Sequence, residues 1–190
     1  MSASVAVCTR EWSARLAFRE NLSGAIPQQA TTIRLRHDDA ALHLEFVCVD
    51  AEPWATITQR DGPLWEEEVV EIFIDPVGDR ECYFEIEVNP LGTVVDLVLR
   101  RNRSGYARDF AWDCEGLTVG VEQTVDGWRA NLSFPFTALT DGPPGPGTEW
   151  RVNFTRIDRP RNRERELSAW VPTLLATFHA PERFGVLQFQ

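Results

Sequence analysis

The chain has no lysine and a single methionine, Met1, among its 190 residues. All 19 basic residues are arginine, which reads as coding bias, since function rarely demands arginine at every exposed position. With Met1 the sole methionine, a haem held by paired Met and His axial ligands is not expected. The four cysteines, Cys8, Cys48, Cys82 and Cys114, form no C-x-x-C pair, so a zinc or redox centre is not expected. Cys48 and Cys82 fall inside strand patterns and read as buried thiols. The even count permits disulfides but leaves their pairing open. No apolar run approaches the length of a membrane-spanning helix. The start, MSASVAVCTREWSARLAF, lacks the basic residues followed by a long apolar run that mark an export signal. The expectation is a soluble chain, cytoplasmic by default, with no membrane partner. A positive charge excess is also missing. The net charge of −10 makes nucleic acid and anionic membrane poor partners, and leaves a neutral ligand or a cation compatible. No internal repeat is visible. The length fits one domain over residues 1–190, with 1–30 as a less regular N-terminal cover.

What is present is alternation, and it is densest from Leu64 to Arg100, LWEEEVVEIFIDPVGDRECYFEIEVNPLGTVVDLVLR. Three strands are expected there, at Val69 to Asp75, Glu81 to Asn89 and Thr93 to Leu99. They are joined by Pro76–Arg80 and Pro90–Gly92, which carry turn-forming residues. In the middle strand Phe84, Ile86 and Val88 share one face, and Tyr83, Glu85, Glu87 and Asn89 the other. In the first, Val70, Ile72 and Ile74 oppose Glu71, Phe73 and Asp75. Folding the hairpin about Gly78 sets Glu71 roughly opposite Glu85. A bulge at Gly92 would shift the next pairing by one residue, sending Val95, Leu97 and Leu99 to the apolar face and Asp96 to the acidic one. The expected sheet has one apolar face and one bearing Glu71, Glu85, Glu87, Asn89 and Asp96. A solvated outer face is the ordinary explanation of such alternation. Like charges crowded on neighbouring strands repel, however, and Trp65 stands where the first strand begins.

Elsewhere Thr31–Arg36, Ala41–Val49, Leu117–Val125, Trp128–Phe134, Trp150–Ile157 and Arg183–Gln190 alternate as strands, and Ala55–Thr58 as a short one. Asp126-Gly127 is a hairpin turn. Glu11–Glu20 is a short helix or an irregular cover, Arg101–Gly116 a long surface loop, and Thr140–Gly147 a rigid crossover. About nine to ten short strands and no long helix point to an all-β fold, an antiparallel, jelly-roll-like β-sandwich. Of the seven tryptophans, Trp12, Trp128 and Trp150 are assigned to packing, whereas Trp65 and Trp170 sit at loop–strand junctions suited to binding.

The ordered set LWEEEVVEIFIDP, YFEIEVNPLG, WRVNFTRID, Trp170-Val171-Pro172-Thr173 and HAPERFGVLQF resembles the carbohydrate-binding module family 9-like domains of the DOMON-like β-sandwich group. The resemblance spans roughly Thr31 to Gln190. It implies a non-catalytic domain holding a terminal mono- or disaccharide between two tryptophans, Trp65 and Trp170. Glu71 would accept hydroxyl bonds, with Asn89 beside it and Glu85 and Arg156 as further partners. It also implies structural calcium and association with carbohydrate-active enzymes, usually secreted ones. Physically, a pyranose stacks its C–H face on an aromatic ring while carboxylates bind its hydroxyls. The alternative is a glycoside hydrolase or related enzyme using Glu71, Glu85 and Glu87. Against it, these carboxylates are expected side by side on adjacent strands. His37, His43 and His179 form no triad pattern with a serine, and His179 reads as structural. Asp50, Asp61, Asp75 and Asp79 offer hard oxygen ligands at strand ends without the spacing of a calcium loop.

Overall fold

The computed structural model describes residues 4–190. Met1 lies outside them, so the methionine on which the haem argument turned is not described. Fourteen strands form, with short helical turns between some of them. They are β1 (Val5–Cys8), β2 (Leu16–Ala17), β3 (Arg19–Glu20), β4 (Thr31–His37), β5 (Ala41–Val49), β6 (Val69–Asp75) and β7 (Cys82–Val88). Then follow β8 (Val94–Asn102), β9 (Gly105–Asp109), β10 (Thr118–Thr124), β11 (Gly127–Pro135), β12 (Glu149–Asp158), β13 (Glu166–Ala169) and β14 (Gly185–Phe189). One sheet runs β1-β14-β12-β6-β7-β8-β9, with β13 and β3 attached along the β12 edge; the other runs β10-β11-β5-β4-β2. β1 pairs with β14 in parallel and the other pairings are antiparallel. This is the expected all-β sandwich. The strand count exceeds the expectation because β1, β9 and β13 and the two-residue β2 and β3 are too short or too polar to show as alternation. Glu11–Glu20 contributes β2 and β3 rather than a helix, and Ala55–Thr58 forms no strand.

Between the sheets lies the main core. Val70, Ile72, Ile74, Ile86, Val88 and Phe154 face Leu35, Leu44, Phe46, Ala130, Leu132 and Phe134. Phe46 and Phe154 meet across the gap edge to face, centroids 6.3 Å apart. Trp128 and Trp150 are buried as expected, but Trp12 stays partly exposed with the Arg34 guanidinium 4.6 Å over its ring.

The nine-stranded sheet is also covered on its other face. Phe73, Tyr83, Val95, Leu97, Leu99 and Ile157 form a second apolar cluster under Leu64, Phe178 and Phe184. All seven residues of β6 are therefore buried, on both faces. The expected polar outer face is instead a partly apolar layer lying under two crossing segments.

Two registers differ from expectation. Glu71 pairs with Glu87, and Phe73 with Glu85. Asp75 widens the turn by accepting hydrogen bonds from the amides of Gly78 (2.6 Å) and Arg80 (3.0 Å), which moves the pairing by two residues and preserves the faces. Between β7 and β8 no one-residue shift occurs. Val88 pairs with Val94, Glu87 with Val95, Glu85 with Leu97 and Ile86 with Asp96. The Asn89 side chain accepts from the amides of Leu91 and Thr93, 3.0 Å each, closing a turn that keeps the strands in phase. Val95, Leu97 and Leu99 thus share the carboxylate face, and Asp96 points into the sandwich. There it accepts from Arg60 Nη2 and, at 2.6 Å, from the Cys114 amide.

Phe154→Ala should lower the unfolding free energy by about 3–5 kcal/mol, because its cavity opens where the sheets touch and backbone bonds restrain collapse. Urea denaturation followed by tryptophan fluorescence measures this.

Candidate functional site

The covering segments leave one cavity of ≈ 210 Å³ over the outer face of the nine-stranded sheet. Its floor is Glu71 of β6 with Glu85 and Glu87 of β7, flanked by Phe73, Leu97 and Ile157. Trp65 and Phe110 line one side, with ring centroids 6.5 Å apart, and Thr177, Phe178 and His179 line another. Arg108 and Arg165 complete the rim.

Local structure explains the wall. Trp65 sits in a helical turn, Leu64–Glu66, whose Leu64 is driven into the second apolar cluster. The Glu67 carboxylate ties that turn down by accepting from the amides of Thr56 (2.7 Å) and Ile57 (3.1 Å). Leu64 faces the core, so the next side chain is left half-buried over the floor. Arg108 stands on β9 opposite Leu99, on the same outer face. Its guanidinium lies 6.0 Å from the Trp65 ring and donates to His179 Nε2 at 3.0 Å. A guanidinium has no acceptor, so Nε2 accepts, and the neutral ring's Nδ1–H donates to Tyr83 Oη at 3.0 Å. Burial and the Arg108 charge push His179 down to about 4, which keeps that ring neutral.

The floor is electrostatically unusual. Glu71, Glu85 and Glu87 are each no more than 3% exposed, and each offers an oxygen within 4.8 Å of the others. Thr155 Oγ1 donates to Glu71 at 2.5 Å. Burial raises Glu71 to about 7, against that hydrogen bond and Arg108. Burial and then the Glu71 charge raise Glu85 to about 8. Burial and both neighbours hold Glu87 well above the carboxylate range, and its Oε2 has no hydrogen-bond partner. Near neutral pH the floor thus presents both carboxyl donors and carboxylate acceptors.

Of the residues expected from sequence, Trp65, Glu71 and Glu85 meet in this cavity. Three do not. Trp170 points to the opposite face of the sheet, packing at 5.7 Å on Phe154 of the main core. It lies over Gly185, where an added Cβ would stand 2.5 Å from its ring. Asn89 is fully buried in its turn, its amide donating to the Ile57 carbonyl at 2.8 Å. Arg156 pairs with Val70, so strand parity puts it between the sheets, bonded to Asp50 (2.7 Å), Asp158 (2.9 Å) and the Val49 carbonyl. Arg108 and Phe110, which also line the cavity, belong to the Arg101–Gly116 segment whose polar composition reads as a loop. Their i, i+2, i+4 spacing with Tyr106 was the available signal. His179, read as structural, is bonded to Tyr83 and Arg108 and also lines the cavity.

Two further carboxylate groups gather among the described residues, Asp50/Glu68/Asp158 and Asp61/Asp96/Asp113. Each holds an arginine at ion-pair distance, Arg156 in the first and Arg60 in the second.

A β-sandwich with an aromatic and carboxyl cavity of this kind has the architecture of a carbohydrate-binding module. The profile of carbohydrate-binding family 9 matches residues 21–189, and the chain belongs to that family. It is similar in structure to a Bacteroides uniformis protein for which carbohydrate binding is proposed, with a TM-score of 0.78, 18% identity and 100% of each chain covered. It is also similar to a family 9 module from Caldicellulosiruptor kristjanssonii, solved with cellotriose. That likeness has a TM-score of 0.72 at 15% identity over 98% of this chain and 94% of the other. The same module solved with glucose gives a TM-score of 0.71 at 15% identity, over 98% and 96%. No curated protein sequence matches the chain. No helix of the described residues is long and apolar enough to cross a membrane.

Two predictions follow from the buried charges. Arg156→Gln should cost about 3–5 kcal/mol of stability, because it leaves Asp50 and Asp158 buried without their cation; chemical denaturation reads this. Glu68, raised to about 9, and the three floor carboxyls all keep protons in the fold that the unfolded chain has released. Their stabilising share is full below about 4.5 and is lost as pH rises through 7 to 9. Tm should therefore fall across that window, and Glu87→Gln should flatten the fall; a pH series of thermal melts checks both.

Proposed function

We propose that this chain is a non-catalytic module that binds a terminal sugar unit in the cavity beside Trp65. The observation that carries the reading is the placement of the Trp65 ring beside a rigid floor of Glu71, Glu85 and Glu87. An aromatic face takes the C–H face of a pyranose, and the floor supplies both acceptors and donors to its hydroxyls. Arg108 adds a fixed donor at the rim. The volume of ≈ 210 Å³ is below the roughly 300–1,000 Å³ of drug-sized ligand sites, which favours one ring over a chain of them. Phe110, and Phe178 on the segment facing it, supply the further apolar wall in this reading, in place of Trp170. Glucose and cellotriose, the ligands in the Caldicellulosiruptor kristjanssonii structures, are the natural first probes.

Calcium, which the family resemblance implies, takes about six to eight oxygen ligands. At Asp50/Glu68/Asp158 and Asp61/Asp96/Asp113 the oxygens are present, but Arg156 and Arg60 already stand as the cations. Those two groups do not fit a metal as they are arranged, and the sugar-binding reading uses none. Catalysis has no observation in its favour, since the three carboxyls converge on one floor rather than flanking a bond.

Trp65→Ala should abolish binding of glucose and cellotriose in isothermal titration while leaving the thermal transition cooperative. Wild-type affinity is expected on the order of micromolar to millimolar. Undiminished affinity in the variant would remove the cavity from the account.

A further inference from the structure

We propose that the Glu71–Glu85–Glu87 floor is a receptor for a protonated amine, so that the preferred saccharide is an amino sugar rather than its neutral counterpart. This rests on the sugar-binding reading above and specifies its ligand.

The first support is the comparison of the three carboxylate groups. The two outside the cavity each enclose a guanidinium within bonding distance. The floor of the cavity encloses none. The nearest protein cation there, Arg108, donates to His179 at the rim; its charge lowers the pKa of all three carboxyls from a distance, but it makes no ion pair with them. His179 Nε2 lies 3.9 Å from Glu85 Oε1, but it is the nitrogen that accepts from Arg108 and so carries no proton. The fold supplies Arg156 to the buried Asp50 and Asp158 and Arg60 to the buried Asp96, and leaves the three buried carboxyls of the floor to be neutralised by protons or from outside. The second support is an orphan atom. Glu87 is 2% exposed, lines the cavity, and its Oε2 lacks any partner. A buried acceptor left unpaired costs roughly 1–3 kcal/mol, which a donor on the ligand would recover.

The geometry selects among cations. An ammonium brings three N–H donors and no acceptor, matching three carboxyls whose oxygens lie within 4.8 Å of one another. Calcium needs about six to eight oxygens, and the neighbours Phe73, Leu97 and Ile157 offer none. The aromatic ring of Trp65 also favours a nearby positive charge.

The proton balance follows. Around neutral pH the empty floor holds protons on its carboxyls, so each ionised contact to R–NH3⁺ forms as a carboxyl O–H breaks and its proton leaves to solvent. The charged and titratable groups facing the floor are Arg108 on β9, Arg165 ahead of β13 and His179 on the covering segment. His179 has no proton to lose near neutrality. Affinity for the amine should therefore rise with pH until the amine itself loses its proton.

The test is isothermal titration of the whole chain at neutral pH with glucosamine, glucose and calcium chloride separately. Each titration is run in two buffers of different ionisation enthalpy. Glucosamine should bind at least about tenfold more tightly than glucose, with net proton release, which corresponds to about 1.4 kcal/mol. Glu87→Gln should collapse that ratio towards one, and Glu85→Gln is the second variant should the first fail to give a cooperative melt. Equal affinities for the two sugars would overturn the amine proposal and leave the sugar-binding reading standing. Binding of neither sugar by the folded chain would overturn both. Calcium binding lost in Glu87→Gln, without a glucosamine preference, would assign the floor to a metal and overturn the amine.

Discussion

Burial of the nine-stranded sheet on both faces is the constraint from which the rest of the structure follows. Side chains alternate across a strand, so β6 sends Val70, Ile72 and Ile74 into the sandwich and Glu71 and Phe73 to the other side. On most antiparallel sheets that second side is solvated. Here the segments through Leu64 and through Phe178–Phe184 pack on Phe73, Tyr83, Leu97 and Ile157 and seal it. Sealing makes the site. The same carboxylates on an open sheet would be hydrated, ordinary in their titration and without a cavity above them.

Charge neutralisation then sorts the buried acids by role. Asp50 and Asp158 meet Arg156 in the dry interior, and Asp96 meets Arg60 at the end of the sandwich. Both arrangements fix chain segments that are far apart in sequence: Arg156 also bonds the Val49 carbonyl, and Asp96 the Cys114 amide. Such closed pairs specify how the segments meet rather than adding much net stability. The floor of the cavity is open by comparison. Thr155 satisfies one oxygen of Glu71, and Glu87 keeps a buried oxygen without a hydrogen-bond partner, as Glu68 does beside Asp50 and Asp158.

How far the sequence could be read depended on whether a feature was local. The alternation of Val69–Asp75 and Cys82–Val88 is local, and it set the faces of Glu71, Glu85 and Glu87 correctly. Trp65, six residues before Glu71, was legible as a wall for the same reason. The phase of β8 was not, because it depends on whether the Asn89–Thr93 turn inserts a residue. The Asn89 side chain decides that by bonding two amides of its own turn. Asp96 consequently changed face. Arg156 and Trp170 failed differently. Their strand parity was readable, but parity does not say which face carries a ligand when both are covered. β12 turns Arg156 inward opposite Val70, and Trp170 follows a strand that ends with Ala169 on the outer face. Arg108 and Phe110 were lost because the short run Gly105–Asp109 holds a glycine and two charged residues and makes a poor strand signal, although β8 pairs with all of it and Phe110 follows directly after.

The raised pKa values of the floor would tie ligand choice to stability. A floor that holds its protons is both donor and acceptor, which suits hydroxyls. A floor that has lost them repels itself at distances within 4.8 Å, Arg108 offsets that repulsion only from the rim, and a cation bound among the three would relieve it. The protonated floor therefore stabilises the empty fold, and the ionised floor stabilises it only when a positive group is bound. pH does not merely scale affinity in such a site. On the proposed readings it would change which chemical class of sugar the same three side chains are complementary to, while Trp65 and the sheet beneath remain where the two apolar layers hold them.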